Sequence, residues 1–229
     1  MYRFTYPATC FDEHNINKQE IRHLIRKHKA LAARYVRNLR YYNGDHKILH
    51  QTDDDEKKNG PDNRLVCNHA KDIVDTASSY FIGNPISYKS DNEDMKVITD
   101  VLDSCGADEI DGDNGLDLSI FGIAYEYHYV KKDETAEMIK NLSPIHTFMV
   151  CDDTIEENEL FAVYYYAQKD DTDKEKTVYI ATVLTQHYVY TLRIYDNDGP
   201  QKMMEMPVEH FFGEVPVVEF LNNKMAIGD

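Results

Sequence analysis

The sequence lacks the features that attach a protein to a membrane or direct it out of the cell. Its 229 residues contain no apolar run near the roughly 20 residues that a membrane-spanning helix needs. The opening stretch, residues 1–20, has no apolar core of the kind found in secretory signal peptides. We therefore expect cytoplasmic synthesis and no membrane partner.

Cysteine is scarce and widely spaced. The four cysteines are Cys10, Cys67, Cys105 and Cys151, and no two of them form a C-x-x-C pair. This spacing fits neither a disulfide framework nor a zinc knuckle. We expect reduced and mostly buried thiols.

The motifs of common enzyme families are absent as well. The chain has no G-x-S-x-G, no P-loop, no dinucleotide-type glycine pattern and no H-E-x-x-H. Cys67 lies just before a predicted helix, with nothing local to activate its thiol. The carboxylates Asp152, Asp153, Glu156 and Glu157 could in principle hold magnesium for a nuclease, but a charged turn explains them better. The sequence predicts no catalytic residue and no cofactor.

Two histidines have a spacing that can bind metal on a helix. His46 and His50 are four residues apart, but the turn formers of residues 43–45 come directly before them. No third ligand is in sight. We predict turn and exposed loop over residues 41–63 and no metal site there.

An acidic stretch, residues 108–117, invites comparison with a calcium-binding loop. If Asp111 is taken as the first loop position, Leu116 stands where an EF-hand needs glycine and Gly122 where it needs glutamate. The match fails at these positions. We predict a solvated acidic turn that caps a following short helix ending near Gly122.

Acidic residues dominate the chain, and their distribution is uneven. The formal net charge is −16, with 25 Lys and Arg against 41 Asp and Glu. Residues 1–50 hold 10 basic and 4 acidic residues, which leaves 15 basic and 37 acidic residues for the remainder. Such an acidic body repels a phosphate backbone, which disfavours tight binding in a DNA groove.

The basic segment is predicted to form an amphipathic helix over residues 18–40. Asn17 followed by Glu20 resembles a capping box, and apolar residues recur at helical spacing. A basic stripe follows the opposite side: Lys18, Arg22, Arg26, Lys29, Arg37 and Arg40. This stripe fits a solvated face, a docking site for an acidic surface of this chain or an identical neighbour, or a nucleic-acid contact.

Two further helices are predicted in the first half of the chain. The helix over 68–82 ends at Gly83, which we expect to be a left-handed C-cap, and Pro85 prevents its continuation. The helix over 92–105 is closed by Gly106. Its inward residues are predicted to be Met95, Ile98, Val101, Leu102 and Cys105.

From Ile123 onwards the apolar period changes from helical spacing to two. The stretch over 123–130 alternates as a half-buried strand does. Further strands are predicted at 145–150, 159–168, 176–184, 187–195 and 216–220. The pattern predicts an α+β fold in which a helical part, residues 1–122, precedes an antiparallel β meander, residues 123–220, within a single region spanning 1–229.

Four stretches taken in order resemble the amino-terminal part of bacteriophage portal proteins of the Gp6-like group, from phages of Gram-positive bacteria. They are RYYNGDHKIL, NRLVCNHAKDIVDTASSYFIGNPISY, GIAYEYHYV and VPVVEFLNN, and they cover about residues 35–225. The positions that match the family pattern are Tyr42, Gly44, His46, Asn63, Asn68, Asp75, Tyr80, Gly83, Pro85, Gly122, Tyr125, Glu126, Pro216, Phe220 and Asn222.

The resemblance implies a non-enzymatic subunit of a ring at one capsid vertex of the virion, assembled in the host cytoplasm. Such rings contain about a dozen identical subunits. Implied partners are terminase, major capsid, scaffold and connector proteins, and DNA that passes through without specific binding. This chain then corresponds to the peripheral wing, with the stem, clip and tunnel loop mostly or wholly absent, and we expect a fragment.

Two other functions stay open at this point. A metal-dependent phage nuclease or peptidase would need convergent metal-binding side chains, whereas a capsid-assembly adaptor would need none. For the portal interpretation, Arg22, Arg26 and Arg37 are candidate subunit contacts that pair with the acidic region 91–117 of a neighbour.

Overall fold

Helices lie in the first half of the chain and most strands lie in the second. The computed structural model describes residues 3–50, 64–91, 94–131, 136–170, 177–196 and 201–228. Within these ranges the four α-helices are α1 (Lys18–Tyr42), α2 (His69–Ile82), α3 (Lys96–Cys105) and α4 (Ala107–Phe121). Short 3-10 turns occupy Ala8–Cys10 and Lys47–His50. No helix in the described ranges is long and apolar enough to cross a membrane.

The strands form two sheets. In chain order the described strands are β1 (Phe4–Thr5), β2 (Ile123–Val130), β3 (Glu137–Leu142), β4 (Thr147–Cys151), β5 (Glu159–Lys169), β6 (Thr177–Leu184), β7 (Tyr188–Tyr195), β8 (Lys202–Met203), β9 (Val208–Glu209) and β10 (Val217–Leu221). The large sheet has the order β1-β4-β5-β6-β7-β8, with β9 also pairing with β7. The small sheet has the order β10-β2-β3. All of these pairings are antiparallel except that of β1 with β4.

Both faces of the large sheet are covered, because its strands send alternate side chains into two apolar cores. One core joins Phe148 and Val163 to Leu24 and Ile25 of α1. The other core contains Met149 and further apolar residues on the same face of the large sheet. These residues pack against the C-terminal half of α1, against α4 and against the small sheet. The long helix α1 therefore contributes to both cores.

The predicted α+β fold is confirmed. Helix α1 begins at Lys18 as predicted, and the Asn17 side chain accepts hydrogen bonds from the backbone N–H groups of Gln19 and Glu20. Helix α2 ends at Ile82 as predicted. Strand β2 has the predicted bounds, and the five later strands lie within two residues of their predicted positions.

The prediction of an acidic turn over residues 108–117 is wrong, because this stretch lies inside the 15-residue helix α4. Gly115 lies where α4 approaches α2 in this segment. A Cβ on Gly115 would lie 2.9 Å from Ile82 Cγ2, so the missing side chain lets α4 pack closely against α2. The helix nevertheless ends next to Gly122, as expected.

Gly83 is not the left-handed cap that the sequence predicts. Its φ is −68° and its ψ is −8°, which is right-handed helical geometry. A Cβ on Gly83 would lie 2.2 Å from the Ser79 carbonyl oxygen, so the residue is small for steric reasons. Gly106, by contrast, has the expected left-handed φ of 68°.

Helix α3 is shorter and less buried than predicted. It begins at Lys96, and Ile98 is 51% exposed where an inward position was expected. The prediction of mostly buried thiols is also wrong, since Cys10 and Cys67 are exposed and only Cys151 is buried. Among the described elements helix α3 packs mainly against α4 and β3, and Val97 and Ile98 are exposed to solvent.

The strands do not form one meander. Strands β4 to β7 are a meander within the large sheet, whereas β2, β3 and β10 separate into the small sheet. Strand β3 was not predicted, and neither were the two-residue strands β1, β8 and β9. Residues 51–63 of the predicted loop lie outside the described residues.

Candidate functional site

The residues of the first two family-like stretches meet where α1 ends and α2 begins. The Tyr42 hydroxyl donates to Asp75 Oδ1 at 2.9 Å, and Lys71 Nζ lies 3.0 Å from Asp75 Oδ2. The Asn68 side chain caps α2 through the Lys71 N–H and donates to the Tyr42 carbonyl at 2.8 Å. Gly44, with a φ of 76°, turns the chain beside Asn68. These four family positions form one junction that fixes α1 relative to α2.

Tyr125 is part of a second group of family positions, on the small sheet. The Tyr125 hydroxyl donates to Glu219 Oε2 at 3.1 Å, and Arg3 Nε lies 3.2 Å from Glu219 Oε1. The Glu219 side chain is only 4% exposed, and this burial raises the pKa of Glu219 against the opposing effect of the Arg3 charge. Because Arg3 also lies 2.6 Å from Glu157, the amino-terminal arm is held against both sheets.

Gly122 and the last described residues form a close contact beside this group. Gly122 has a φ of 81°, and a Cβ there would lie 2.4 Å from backbone atoms of Ala226 and Ile227. The Asn222 N–H donates to the Gly122 carbonyl at 3.1 Å, and the Pro216 carbonyl accepts from the His128 N–H at 2.9 Å. Phe220 pairs with Ala124 across the two strands. The third and fourth family-like stretches therefore belong to one packed unit.

The remaining family positions do not join either group. Tyr80 is 95% exposed near the end of α2, and Gly83 and Pro85 follow it on the surface. The ring of His46 lies 4.8 Å from that of Tyr41, and its Nε2 is buried without a hydrogen-bond partner among the described residues. Asn63 lies outside the described residues.

A polar network connects Glu126 to α4 and β3. Asn114 Nδ2 donates to Glu126 Oε2 at 2.6 Å, and Asn141 Nδ2 donates to Asn114 Oδ1 at 2.8 Å and to Asp117 Oδ2 at 2.9 Å. Burial raises the pKa of Asp117 to about 7, although the Asn141 hydrogen bond acts in the opposite direction. Asp117 therefore holds a proton over a wider pH range than a solvated aspartate does.

The network continues from Glu126 to a histidine. His128 Nε2 lies 3.1 Å from Glu126 Oε1, and His128 Nδ1 lies 2.8 Å from Glu137 Oε1. Contact with Glu126 is the largest cause that raises the pKa of His128. The protonated imidazolium stabilises the fold at pH values below its ordinary pKa, and this contribution is lost as the pH rises through the raised pKa.

The three candidate subunit contacts on α1 differ from one another. Arg26 Nε lies 3.2 Å from Asp196 Oδ1 at the end of β7, and Lys29 lies 3.5 Å from the same carboxylate. Arg26 thus binds an acidic group of its own chain. Arg22 is half-buried, and Arg37 is exposed.

His28 is a buried polar residue that the sequence analysis missed. It is 1% exposed between α1 and the large sheet, and its Nδ1 lies 2.9 Å from the Tyr165 hydroxyl. Burial lowers the pKa of His28 to about 4. His28 lies four residues after Leu24 on the apolar stripe of α1, and this helical spacing was the sequence signal that could have indicated its burial. Glu219 and Asp117 had no such signal, because their partners are remote in sequence.

In the described part of the chain, no group of three or more His, Cys, Asp or Glu side chains is arranged to hold a metal ion. His50 contacts Asp45, and Asp152 accepts hydrogen bonds from Thr154 and Asn158. These residues therefore stabilise local turns.

The family positions described above join elements of the α+β body to one another. The family model described as phage portal protein, SPP1 Gp6-like, matches residues 21–229. The chain therefore belongs to the SPP1 Gp6-like family of phage portal proteins, which are structural proteins, and the resemblance seen in the sequence is confirmed.

One curated relative illustrates the match. The chain is 27% identical over 188 residues to the portal protein of Bacillus phage SPP1. The aligned region covers 77% of this chain and 36% of that protein. The chain thus spans about a third of the length of this relative.

Proposed function

We propose that this chain is the wing-like part of a portal subunit that forms a ring at one capsid vertex. In this proposal the ring is the conduit through which DNA enters during packaging and leaves during ejection. Terminase, major capsid, scaffold and connector proteins are the proposed partners of the ring. The observation that carries the proposal is the family match over residues 21–229.

The charge of the chain agrees with a body that does not capture DNA. A net charge of −16 lowers the affinity for phosphate. The family-motif clusters support the proposed structural role as well, because they join helices to each other and strands of the small sheet to each other. We therefore propose a structural body that does not bind DNA specifically.

Negative-stain electron microscopy of the complete gene product tests the proposal. We expect rings with an axial channel and about a dozen subunits, because head-to-tail contacts between identical subunits close into rings when the rotation permits. Discrete monomers at micromolar concentration would contradict the ring. A divalent-metal-dependent nuclease or peptidase activity that a chelator abolishes would favour the enzyme alternative instead.

A further inference from the structure

Two surfaces of opposite charge lie on different helices of this chain. Helix α1 contains eight Lys and Arg residues and one Glu. The segment of α3 and α4, residues 96–121, contains seven Asp and Glu residues and one Lys. Both α1 and α3 pack against α4, so the two surfaces are attached to one rigid element.

The basic surface is an exposed stripe along α1, here called the α1 stripe. Its members recur every three or four residues: His23, Lys27, Ala30, Arg34, Arg37 and Tyr41. Arg34 is half-buried and donates to the Ala226 carbonyl at 2.9 Å. Lys27 and Arg37 are exposed and make no ion pair within the described ranges. Their Cα positions are separated by about 15 Å along the helix axis.

The acidic surface surrounds a cleft of about 430 Å³ between residues 86–88 and the junction of α3 with α4. This acidic cleft is lined by apolar and acidic side chains: Ile86, Tyr88, Leu102, Asp103, Asp108 and Asp111. Apolar walls beside carboxylates favour a long basic side chain, whose stem packs on the walls while its charge reaches the carboxylates.

Within the described ranges no basic residue balances the negative charge of the acidic cleft. Asp103, Asp108 and Asp111 make no ion pair with any described residue. Burial raises the pKa of Asp111, and the charges of Glu126 and Asp108 raise it further. The pKa of Tyr88 is raised by burial and then by Asp111, Glu126 and Asp108. The cleft therefore gains from a cation supplied by another molecule.

We propose that the α1 stripe of one copy docks in the acidic cleft of a second copy. This inference rests on the proposed ring and names the surfaces that form it. The two surfaces are different, so each copy offers its α1 stripe to one neighbour and its acidic cleft to the other. Such a head-to-tail contact repeats around an axis and closes into a ring when the rotation between neighbours divides a full turn.

Charge sets the direction and the specificity of this contact, and apolar residues complete it. Exposed ion pairs contribute little individually, but complementary patches steer association and reject wrong partners. Tyr41 is 38% exposed on the α1 stripe, and Ile86 is 48% exposed at the acidic cleft. Association should therefore weaken as the salt concentration rises.

Charge reversal in the complete gene product tests the proposal. We expect Lys27→Glu with Arg37→Glu to lower the yield of rings about tenfold at low salt, because like charges then face each other. Asp103→Lys with Asp108→Lys should have the same effect. Combining all four substitutions should restore ring formation, which a general loss of folding would not do.

A matched control carries the same change of charge away from the proposed contact. Lys202→Glu with Lys224→Glu alters two exposed residues on β8 and near the last described residues, and we expect wild-type ring yield. Circular dichroism of each variant confirms that it is folded. A normal ring yield from both single-surface reversals would overturn the docking proposal.

Disulfide crosslinking gives a second, positional readout. In a background of Cys10→Ser, Cys67→Ser and Cys105→Ser, one preparation carries Arg37→Cys and another carries Asp108→Cys, and assembly is followed by treatment with a mild thiol oxidant. We expect crosslinked dimers only when the two preparations are assembled together. Rings that form without this crosslink would overturn the docking proposal and leave the proposed function standing. Absence of rings from the unaltered protein would overturn the proposed function, and the docking proposal with it.

Discussion

Asp117 and His28 are buried titratable residues whose protonation states follow from their surroundings. Burial raises the pKa of the Asp117 carboxyl to about 7 and lowers the pKa of the His28 imidazole to about 4. In both cases the neutral form is favoured, because a charge loses its hydration inside the protein. His28 remains neutral down to about pH 4 and therefore weakens the fold as the pH falls below its ordinary value of 6.5.

Replacement of Asp117 tests this description at a single residue. The unfolded chain loses the Asp117 proton near pH 4 but the folded chain retains it to about pH 7, so this group weakens the fold progressively as the pH rises between these values. We expect Asp117→Asn to increase the free energy of unfolding by roughly 2 kcal/mol more at pH 8 than at pH 5. Urea unfolding at the two pH values measures the difference.

Asp100→Asn is the matched control for this measurement. Asp100 is exposed on the neighbouring helix α3, so its replacement removes the same charge without relieving a buried site. We expect a change of less than about 0.5 kcal/mol at both pH values. An equal response of the two variants would show that Asp117 is ionised in the folded protein at neutral pH.

At the scale of elements, the last described segment is held by its contact with Gly122. Gly122 has a left-handed φ of 81°. Backbone atoms of Ala226 and Ile227 occupy the space that a Cβ on Gly122 would need. Gly106 has a similar φ of 68° but no atom within 4 Å of its Cβ position. The two glycines therefore separate the cost of the backbone conformation from the cost of the close contact.

We expect Gly122→Ala to lower the free energy of unfolding by roughly 3 kcal/mol, because it adds a steric clash to the left-handed penalty. Gly106→Ala should lower it by only about 1 kcal/mol, since the penalty there is conformational alone. Chemical denaturation of both variants provides the comparison. Equal losses would mean that residues 226–227 do not pack on Gly122.

The elements with a strong local signal could be predicted from the sequence. The alternation of Ile123, Tyr125 and Tyr127 placed β2 correctly, and Asn17 marked the beginning of α1. Helix α4 was missed because its glycines and acidic residues are turn formers locally, whereas its packing against α2 at Gly115 and against α1 and β2 is not visible in the local sequence. Tertiary packing overrides local propensity in such a segment.

The geometry of the candidate sites depended on contacts that are remote in sequence. The pair of Tyr42 and Asp75 joins residues from two family-like stretches, but no spacing within either stretch predicts the hydrogen bond. The same is true of Tyr125 and Glu219. Charge patterns were easier to recognise, although Arg26 pairs with Asp196 of its own chain, which the helical stripe alone could not indicate.

At the scale of the whole molecule, charge separates a basic helix from an acidic body. Residues 1–50 have a net charge of +6, from 10 basic and 4 acidic residues, and the remainder has −22, from 15 basic and 37 acidic residues. The negative body agrees with the proposed passage of DNA without capture. The basic helix supplies the complementary surface that the docking proposal requires.

The central claim is that this α+β body is the wing of a portal ring. A cryo-electron microscopy map of the assembled complete gene product tests it most directly. We predict a ring in which both sheets lie at the periphery, outside the axial channel, with α1 of each subunit facing α3 and α4 of the next. A ring whose channel is lined by these sheets, or a protein that does not assemble, would contradict the account.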